Sequence, residues 1–135
     1  MCIRDSVKLR EELNLLTGPV KEFQASATAE RQAMLDRLVE SELITPEIAA
    51  DVDDHIQEIV EAMHKMLLRS PSVLLQAALV DGVGETRSQN QPGTSSEYRN
   101  WRVPLAGPDH KAVHTDEVFD LPRVKSLSAI MNGEK

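Results

Sequence analysis

The stretch at 73–80, Val-Leu-Leu-Gln-Ala-Ala-Leu-Val, constrains most strongly how this chain can fold. Apolar residues occupy both its odd and its even positions, so a strand formed here has two apolar faces, as in parallel sheets covered by helices on both sides. Such a strand needs neighbours on both edges, because buried backbone N–H and C=O groups are almost always hydrogen bonded. No second segment of this kind occurs in the chain. The sequence therefore predicts that the neighbouring strands come from additional polypeptide.

A long helix is predicted immediately before that stretch. Thr45-Pro46-Glu47 has the residues of a helix start: a capping hydroxyl, a proline that loses no hydrogen bond, and an acid in the first turn. Apolar residues then recur at helical spacing from Val52 to Leu67, and Ser70-Pro71 ends the pattern. We predict one continuous helix here, with His55 and His64 on its acidic, solvent-exposed face.

Three further helices are indicated by capping residues and apolar spacing. They are predicted at 7–16, at 29–40 after the capping residue Thr28, and at 120–132, where Asp120-Leu121-Pro122 opens the helix. At 135 residues the chain is long enough for one small domain. The first six residues do not resemble a signal peptide and are interpreted as a non-native leader, with residues 7–135 as the C-terminal segment of a longer protein.

Charge and cysteine usage exclude several classes of function. The formal net charge of −7 argues against nucleic acid as a partner, and against anionic membrane surfaces. No run of about 18 apolar residues exists, so no transmembrane helix is predicted. A single cysteine, Cys2, cannot form an internal disulfide or a cysteine-based zinc site, which is typical of a reducing cytosol. We expect a cytoplasmic protein.

The segment from Asn90 to Arg102, which follows the predicted strand, contains the only tryptophan and the only tyrosine of the chain. Pro92-Gly93 favours a turn, so an ordered loop is predicted. Its amide, hydroxyl, guanidinium and aromatic groups suit a polyhydroxylated ligand, whose hydroxyls bond to amides while its C–H faces lie on aromatic rings. The alternative is that Trp101 and Tyr98 fasten the loop to the core and Arg102 forms a local ion pair.

The same residues carry a family resemblance. Pro92-Gly93-Thr94-Ser95, then Tyr98, then Asn100-Trp101-Arg102, resemble the closing motif N-x-P-G-T-x-x-x-Y-x-N-W-R of the 4-α-glucanotransferases, also called amylomaltases or disproportionating enzymes. The likeness extends from about Ala29 to Met131. Gln91 stands where the family prefers an aliphatic residue, and Arg99 where proline is common.

The resemblance implies an α/β fold, namely the C-terminal portion of a (β/α)8 TIM barrel that is incomplete as given. The chain would be mostly helical, with one buried strand and one long loop. Its parts would be outer helices over 29–69, the last strand at 73–80, a substrate-side loop over 81–118 and a final helix over 120–132. Loops at this end of a barrel hold its active site.

The implied activity is transfer of 1,4-α-glucan segments to glucose or maltooligosaccharide acceptors by a retaining double displacement. That reaction requires paired carboxylates, which the family carries in motifs absent from this chain, so no catalytic residue is assigned here. Asp81 and Glu85 are interpreted as solvating or capping acids of the loop. The resemblance places Asn90, Pro92 and Gly93 at the substrate. It implies that four residues anchor the loop: Tyr98, Asn100, Trp101 and Arg102.

No metal or cofactor is expected. His110 and His114 would share a helix face and so invite a zinc interpretation, together with Asp109, Asp116 and Glu117, but the segment lacks other helical signals and is interpreted as a solvated polar loop. A non-enzymatic alternative also exists, in which Met63, Met66 and Leu67 of the long helix dock onto a partner helix. An interaction module of that kind would have no use for the loop motif.

Overall fold

The computed structural model describes residues 3–133, and the side chains of residues 6–133. Met1 and Cys2 of the predicted leader lie outside the described residues, and Ile3–Ser6 belong to the first helix. The six α-helices, α1 to α6, are Ile3–Glu12, Val20–Glu40, Pro46–Ala50, Ile56–Leu68, Leu79–Val83 and Pro122–Met131, and a 3-10 turn covers Val118–Asp120. Pairing of β type within the described range is limited to one isolated antiparallel bridge between Ala106 and Ala112.

The described residues form two compact units. The first unit contains the described residues up to Ala33 together with Thr86–Pro104. The second contains Met34–Glu85 and the described residues from Leu105 onward. The segment from Asn90 to Arg102 therefore belongs to the first unit, whereas α3 to α6 belong to the second.

A small hydrophobic core organises the second unit. Its buried members are Leu35, Leu38, Ile44, Ile59 and Ala62. Helix α6 packs against α4 and α5, and the hydroxyl of Ser126 on α6 donates a hydrogen bond to the Glu61 carboxylate on α4 at 2.7 Å. Gly82 of α5 lies close enough to α6 that an added Cβ would contact the side chain of Val124 at 3.4 Å. These contacts hold α6 against both α4 and α5.

The predicted continuous helix from Thr45 to Leu67 is interrupted. Its start is as expected, because the Thr45 hydroxyl accepts a hydrogen bond from the backbone N–H of Ile48. Helix α3 nevertheless ends at Ala50, and α4 begins at Ile56. The intervening segment contains Asp51, Asp53 and Asp54. Aspartate is a weak helix former because its short carboxylate competes for backbone N–H groups, so three aspartates in four residues favour a turn.

The predicted buried strand at 73–80 is not found. Residues 73–78 have no regular secondary structure, and Leu79 begins helix α5. Val73 and Leu74 are almost fully exposed to solvent. A strand is stabilised by ladder hydrogen bonds and by apolar cover on its faces, and the described residues supply neither to this segment.

His64 was predicted to lie on the surface, and that prediction is wrong: only 6% of the residue is exposed. Its Nδ1 lies 2.8 Å from the Val60 carbonyl, which can only accept, so Nδ1 carries the proton. Its Nε2 lies 3.9 Å from a carboxylate oxygen of Asp81 on α5. Asp81 belongs to α5, a helix that the sequence did not predict, and α4, which carries His64, packs against α6.

Candidate functional site

The candidate site is the loop at Thr86–Pro104 in the first unit. It contains a tight turn at Gln91–Thr94, closed by a 2.7 Å hydrogen bond from the Thr94 hydroxyl to the Gln91 carbonyl. Gly93 within the turn has φ +88°, a conformation that side chains other than glycine rarely adopt. The turn therefore forms where Pro92-Gly93 predicted it.

The side-chain amide of Asn100 connects both ends of this turn. Its oxygen accepts a hydrogen bond from the backbone N–H of Gln91 at 2.7 Å. Its nitrogen donates to the Thr94 hydroxyl at 2.8 Å and to the Thr94 carbonyl at 3.3 Å. One half-buried amide thus satisfies three backbone or hydroxyl groups. A loop held in this way is ordered, as the sequence predicted, although the partners of Asn100 could not be read from its spacing.

The base of the loop is fastened by three further hydrogen bonds. The Tyr98 hydroxyl donates to the Ser88 carbonyl, and the Ser88 hydroxyl donates to the Asn90 carbonyl at 2.6 Å. The Arg87 guanidinium donates to the Pro104 carbonyl at 2.6 Å. Tyr98 and Asn100 therefore both form hydrogen bonds within the loop, and their role as anchors stays a prediction.

Trp101 is held through its backbone rather than its ring. Its N–H donates to the Gln89 carbonyl at 2.7 Å while its φ is +60°, which is unusual for a bulky residue. The residue is 76% exposed, so the indole does not pack into a core of the described chain. The neighbouring Arg102 N–H donates to the Arg99 carbonyl at 2.9 Å, and Arg102 is also exposed. For both residues, an anchoring role of the side chain stays a prediction.

The three residues expected to touch substrate, Asn90, Pro92 and Gly93, are all exposed to solvent. Asn90 precedes Gln91, and Pro92 and Gly93 lie between Gln91 and Thr94, the two residues that Asn100 bonds. Asn90 follows directly on Gln89, whose side-chain nitrogen is buried without a hydrogen-bond partner. Their use in binding stays a prediction. The geometry nevertheless presents an exposed amide next to a rigid turn, and an amide offers one acceptor and two donors to vicinal hydroxyls.

Glu97 is the acidic residue of the Asn90–Arg102 segment. Its carboxylate accepts hydrogen bonds from the Ser95 N–H at 2.7 Å and from the Ser95 hydroxyl at 3.1 Å. The backbone bond from Ser95, followed by the other hydrogen bonds to this carboxyl, lowers the pKa of Glu97 below its ordinary value. A carboxylate that stays ionised and is occupied by serine donors is suited to closing a local turn rather than to acting as a general acid.

Two acids of the second unit were interpreted as solvating or capping groups. Glu85 is in fact only 4% exposed, and its carboxylate accepts a hydrogen bond from the Ala106 N–H at 3.1 Å. It holds the backbone at the start of the segment after Pro104. Asp81 is half-buried beside His64. The solvating role is therefore wrong for Glu85, whose burial arises from the fold around residue 106 and has no signal in local sequence.

The acidic and histidine-containing segment at 109–117 is exposed over most of its length. The Asp109 carboxylate bonds to the Lys111 ammonium at 3.0 Å and to the Lys111 N–H at 3.1 Å. These two bonds, the ammonium first, lower the pKa of the Asp109 carboxyl. Among the residues that the structure describes, no three potential ligands are grouped as a metal would require. Nor does any helix in the described range have the length and hydropathy to cross a bilayer.

Comparison with known protein families gives a match over much of the chain. Residues 17–109 match the family described as 4-alpha-glucanotransferase. The 4-alpha-glucanotransferases of Mycobacterium bovis and Mycobacterium tuberculosis are each 44% identical to this chain over 124 residues. Those matches cover 92% of this chain and 17% of each relative. The chain thus spans about a sixth of the length of these relatives.

A solved structure shows the same likeness in three dimensions. The crystal structure of amylomaltase from Corynebacterium glutamicum superposes with a TM-score of 0.83 at 26% sequence identity. The superposition covers 94% of this chain and 19% of the amylomaltase chain. A mostly helical chain therefore has a counterpart of nearly its full length within a much longer protein.

Proposed function

The chain belongs to the 4-alpha-glucanotransferase family, and from this premise we propose that it supplies a substrate-binding loop to an enzyme that transfers 1,4-α-glucan segments. The acceptor would be glucose or a maltooligosaccharide. The observation that carries the proposal is the loop in which Asn100 fixes the Pro92-Gly93 turn and leaves Asn90 exposed beside it. The protein would work in the cytoplasm without nucleic acid or membrane partners, in keeping with its acidic charge.

Within that enzyme, the chain would form the C-terminal part of a (β/α)8 barrel. Residues 73–78 would be the core of the last strand, paired on both edges by strands from the rest of the polypeptide. Support comes from the exposure of Val73 and Leu74, which gives this apolar segment no cover within the described chain. The exposed apolar residues of α4, including Met63 and Leu67, would face the same body rather than a separate partner protein.

The loop would bind the donor glucan. The Asn90 amide would accept from one sugar hydroxyl and donate to its neighbour, because its oxygen and nitrogen match the spacing of a vicinal diol. Pro92 and Gly93 would form the wall beneath that sugar. Tyr98 and Asn100 would keep the wall in place, while Trp101 and Arg102 would anchor the loop to the remaining polypeptide.

The chemistry would follow the retaining double displacement. A carboxylate nucleophile attacks the anomeric carbon while a carboxylic acid protonates the departing oxygen, and this gives a covalent glycosyl-enzyme. An acceptor hydroxyl then attacks the same carbon as the second carboxylate removes its proton. Both groups would come from polypeptide outside this chain. The contribution of this chain would be to hold the donor glucan still during both steps, which lowers the entropic part of the barrier.

The chain on its own should release no glucose from maltotriose. It lacks the paired carboxylates, and binding residues alone cannot form the glycosyl-enzyme. A coupled glucose assay on the purified 135-residue chain, with the complete enzyme as positive control, measures this directly. Glucose release above background by the isolated chain would show that the carboxylates have been assigned to the wrong part of the protein.

In the complete enzyme, Asn90→Ala should lower kcat/KM for maltotriose by about tenfold, the equivalent of roughly 1.4 kcal/mol of lost binding in the transition state. The side chain is exposed, so the melting temperature should change little. The matched control is Asn132→Ala, which removes an equally exposed asparagine whose capping bonds come from its backbone. Parallel losses of activity and melting temperature in Asn90→Ala would favour a purely structural loop.

A further inference from the structure

We propose that Leu15 is a positioning residue for the substrate loop: it sets the Pro92-Gly93 turn and, through the turn, the direction of Asn90. The loop part of this inference rests on contacts of the first unit, and its catalytic part rests on the function proposed above. Leu15 lies more than seventy residues from the loop in sequence, outside the motif that identifies the family.

The contact between the two residues is close. A Cβ built on Gly93 would come within 3.3 Å of the Leu15 Cδ2 methyl, and Leu15 is the residue that such a Cβ would meet. This distance is shorter than ordinary van der Waals contact between carbon atoms. The Leu15 side chain therefore borders the space that a side chain at position 93 would occupy. Gly93 itself adopts φ +88°, so a side chain at this position would be strained whatever space it had.

The end of helix α1 directs Leu15 to this place. Asn14 adopts φ +55°, its N–H bonds to the Glu11 carbonyl at 3.0 Å, and the N–H of Leu15 bonds to the Arg10 carbonyl at 2.8 Å. These two bonds with a left-handed residue form a Schellman motif, in which the residue after the left-handed position turns back along the helix. Asparagine is among the few residues that tolerate this conformation. The Schellman motif thus fixes the backbone position of Leu15.

Helix α1 is in turn held against the start of α2. The Arg10 guanidinium lies over the ring of Phe23 at 5.7 Å from its centre, a cation–π contact. Val7 of α1 is also buried, so one apolar side chain of this helix is packed away from solvent. A continuous series of contacts therefore leads from Phe23 through α1 and Leu15 to Gly93. Shortening Leu15 removes the last contact of that series while leaving the helix and its cap intact.

A spectroscopic test exploits Trp101, the single tryptophan of the chain, which lies in the loop itself. In the 135-residue chain, Leu15→Ala should increase the fast component of the Trp101 fluorescence anisotropy decay by about twofold, because the loop gains motion on the nanosecond timescale. Leu16→Ala is the matched control, an adjacent half-buried leucine with no atom within 4 Å of a Cβ built on Gly93. An equal change in both variants, or none in Leu15→Ala, overturns the positioning role.

The catalytic consequence is measured in the complete enzyme. Leu15→Ala should raise KM for maltotriose by roughly three- to tenfold with a smaller change in kcat, because a mobile turn weakens donor binding more than it alters chemistry. Leu15→Met, which restores the volume, should recover most of the loss, and Leu16→Ala should not raise KM. A rise in KM that follows melting temperature across all three variants contradicts the proposal.

The two proposals fail in different ways. If Asn90→Ala leaves transfer unchanged, the loop does not bind donor glucan, whatever Leu15 does to the anisotropy. If Asn90→Ala impairs transfer while Leu15→Ala keeps wild-type anisotropy and KM, the binding function stands and the positioning role of Leu15 is wrong.

Discussion

Leu38→Ala should lower the free energy of unfolding of this chain by about 2 to 5 kcal/mol, the largest stability change that we expect from a single truncation. Leu38 is fully buried and lies in the core with Leu35, Ile44 and Ile59. Its loss removes apolar contact area and leaves a cavity that the surrounding helices can close only in part. Urea unfolding followed by far-ultraviolet circular dichroism measures the change.

The control for this substitution is Leu74→Ala, the same change at a leucine that is 90% exposed. Because no contact is lost there, its free energy of unfolding should stay within about 0.5 kcal/mol of the original chain. Similar losses for Leu38 and Leu74 would contradict the described core. In the complete enzyme the two variants should behave differently, because the proposed barrel buries Leu74, and Leu74→Ala should then be destabilising as well.

The same dependence on neighbours explains why the predicted strand at 73–80 is absent from the described chain. The apolar pattern predicted a strand covered on both faces. In the described chain, Val73 and Leu74 are exposed instead. Secondary structure, however, is decided by the partners that are present, since a strand gains its stability from ladder bonds and packed faces. Without neighbours in the described chain, Leu79 and Val80 join a helix and the residues before them remain irregular.

The Thr45 helix start and the Pro92-Gly93 turn were predicted correctly. The predicted cap at Thr28 is wrong, because Thr28 lies inside α2, which begins at Val20, and its hydroxyl donates to the Gln24 carbonyl at 2.8 Å. The Thr45 cap and the Pro92-Gly93 turn depend on residues within four positions of each other, so local chemistry decides them. His64 and Glu85 are buried beside groups that are distant in sequence, Asp81 for the first and Ala106 for the second. The contact of Leu15 with Gly93 belongs to the same class. Spacing and composition carry no signal for contacts of this kind.

The family resemblance predicted both Asn100 and Trp101 as anchors of the loop, and the structure gives the two residues different surroundings. Asn100 was expected to anchor the loop, and the structure gives it three partners within the loop. Trp101 was expected to do the same, and its ring is exposed. Two residues that adjoin in the motif thus differ in their surroundings: one completes the loop from within, and the other faces outward from it.

Asn100→Ala should disorder the loop and lower kcat/KM of the complete enzyme for maltotriose by more than about tenfold. The substitution removes all three hydrogen bonds of the amide and leaves the N–H of Gln91, a buried residue, without its acceptor. An unsatisfied buried donor costs about 1 to 3 kcal/mol by itself, more than the net gain from a typical hydrogen bond. The effect should therefore exceed that of removing the exposed Asn90 amide.

The most direct measurement is amide hydrogen exchange at Gln91 in this chain, because its N–H is the donor that Asn100 satisfies. Exchange at this position should become much faster in Asn100→Ala. Thr94→Val is the graded control, since it removes the hydroxyl that bonds to Asn100 and to the Gln91 carbonyl but keeps the bond from Gln91 N–H to Asn100. Gln91 should then stay largely protected. Equal deprotection in both variants would mean that the turn, rather than the Asn100 amide, holds the loop together.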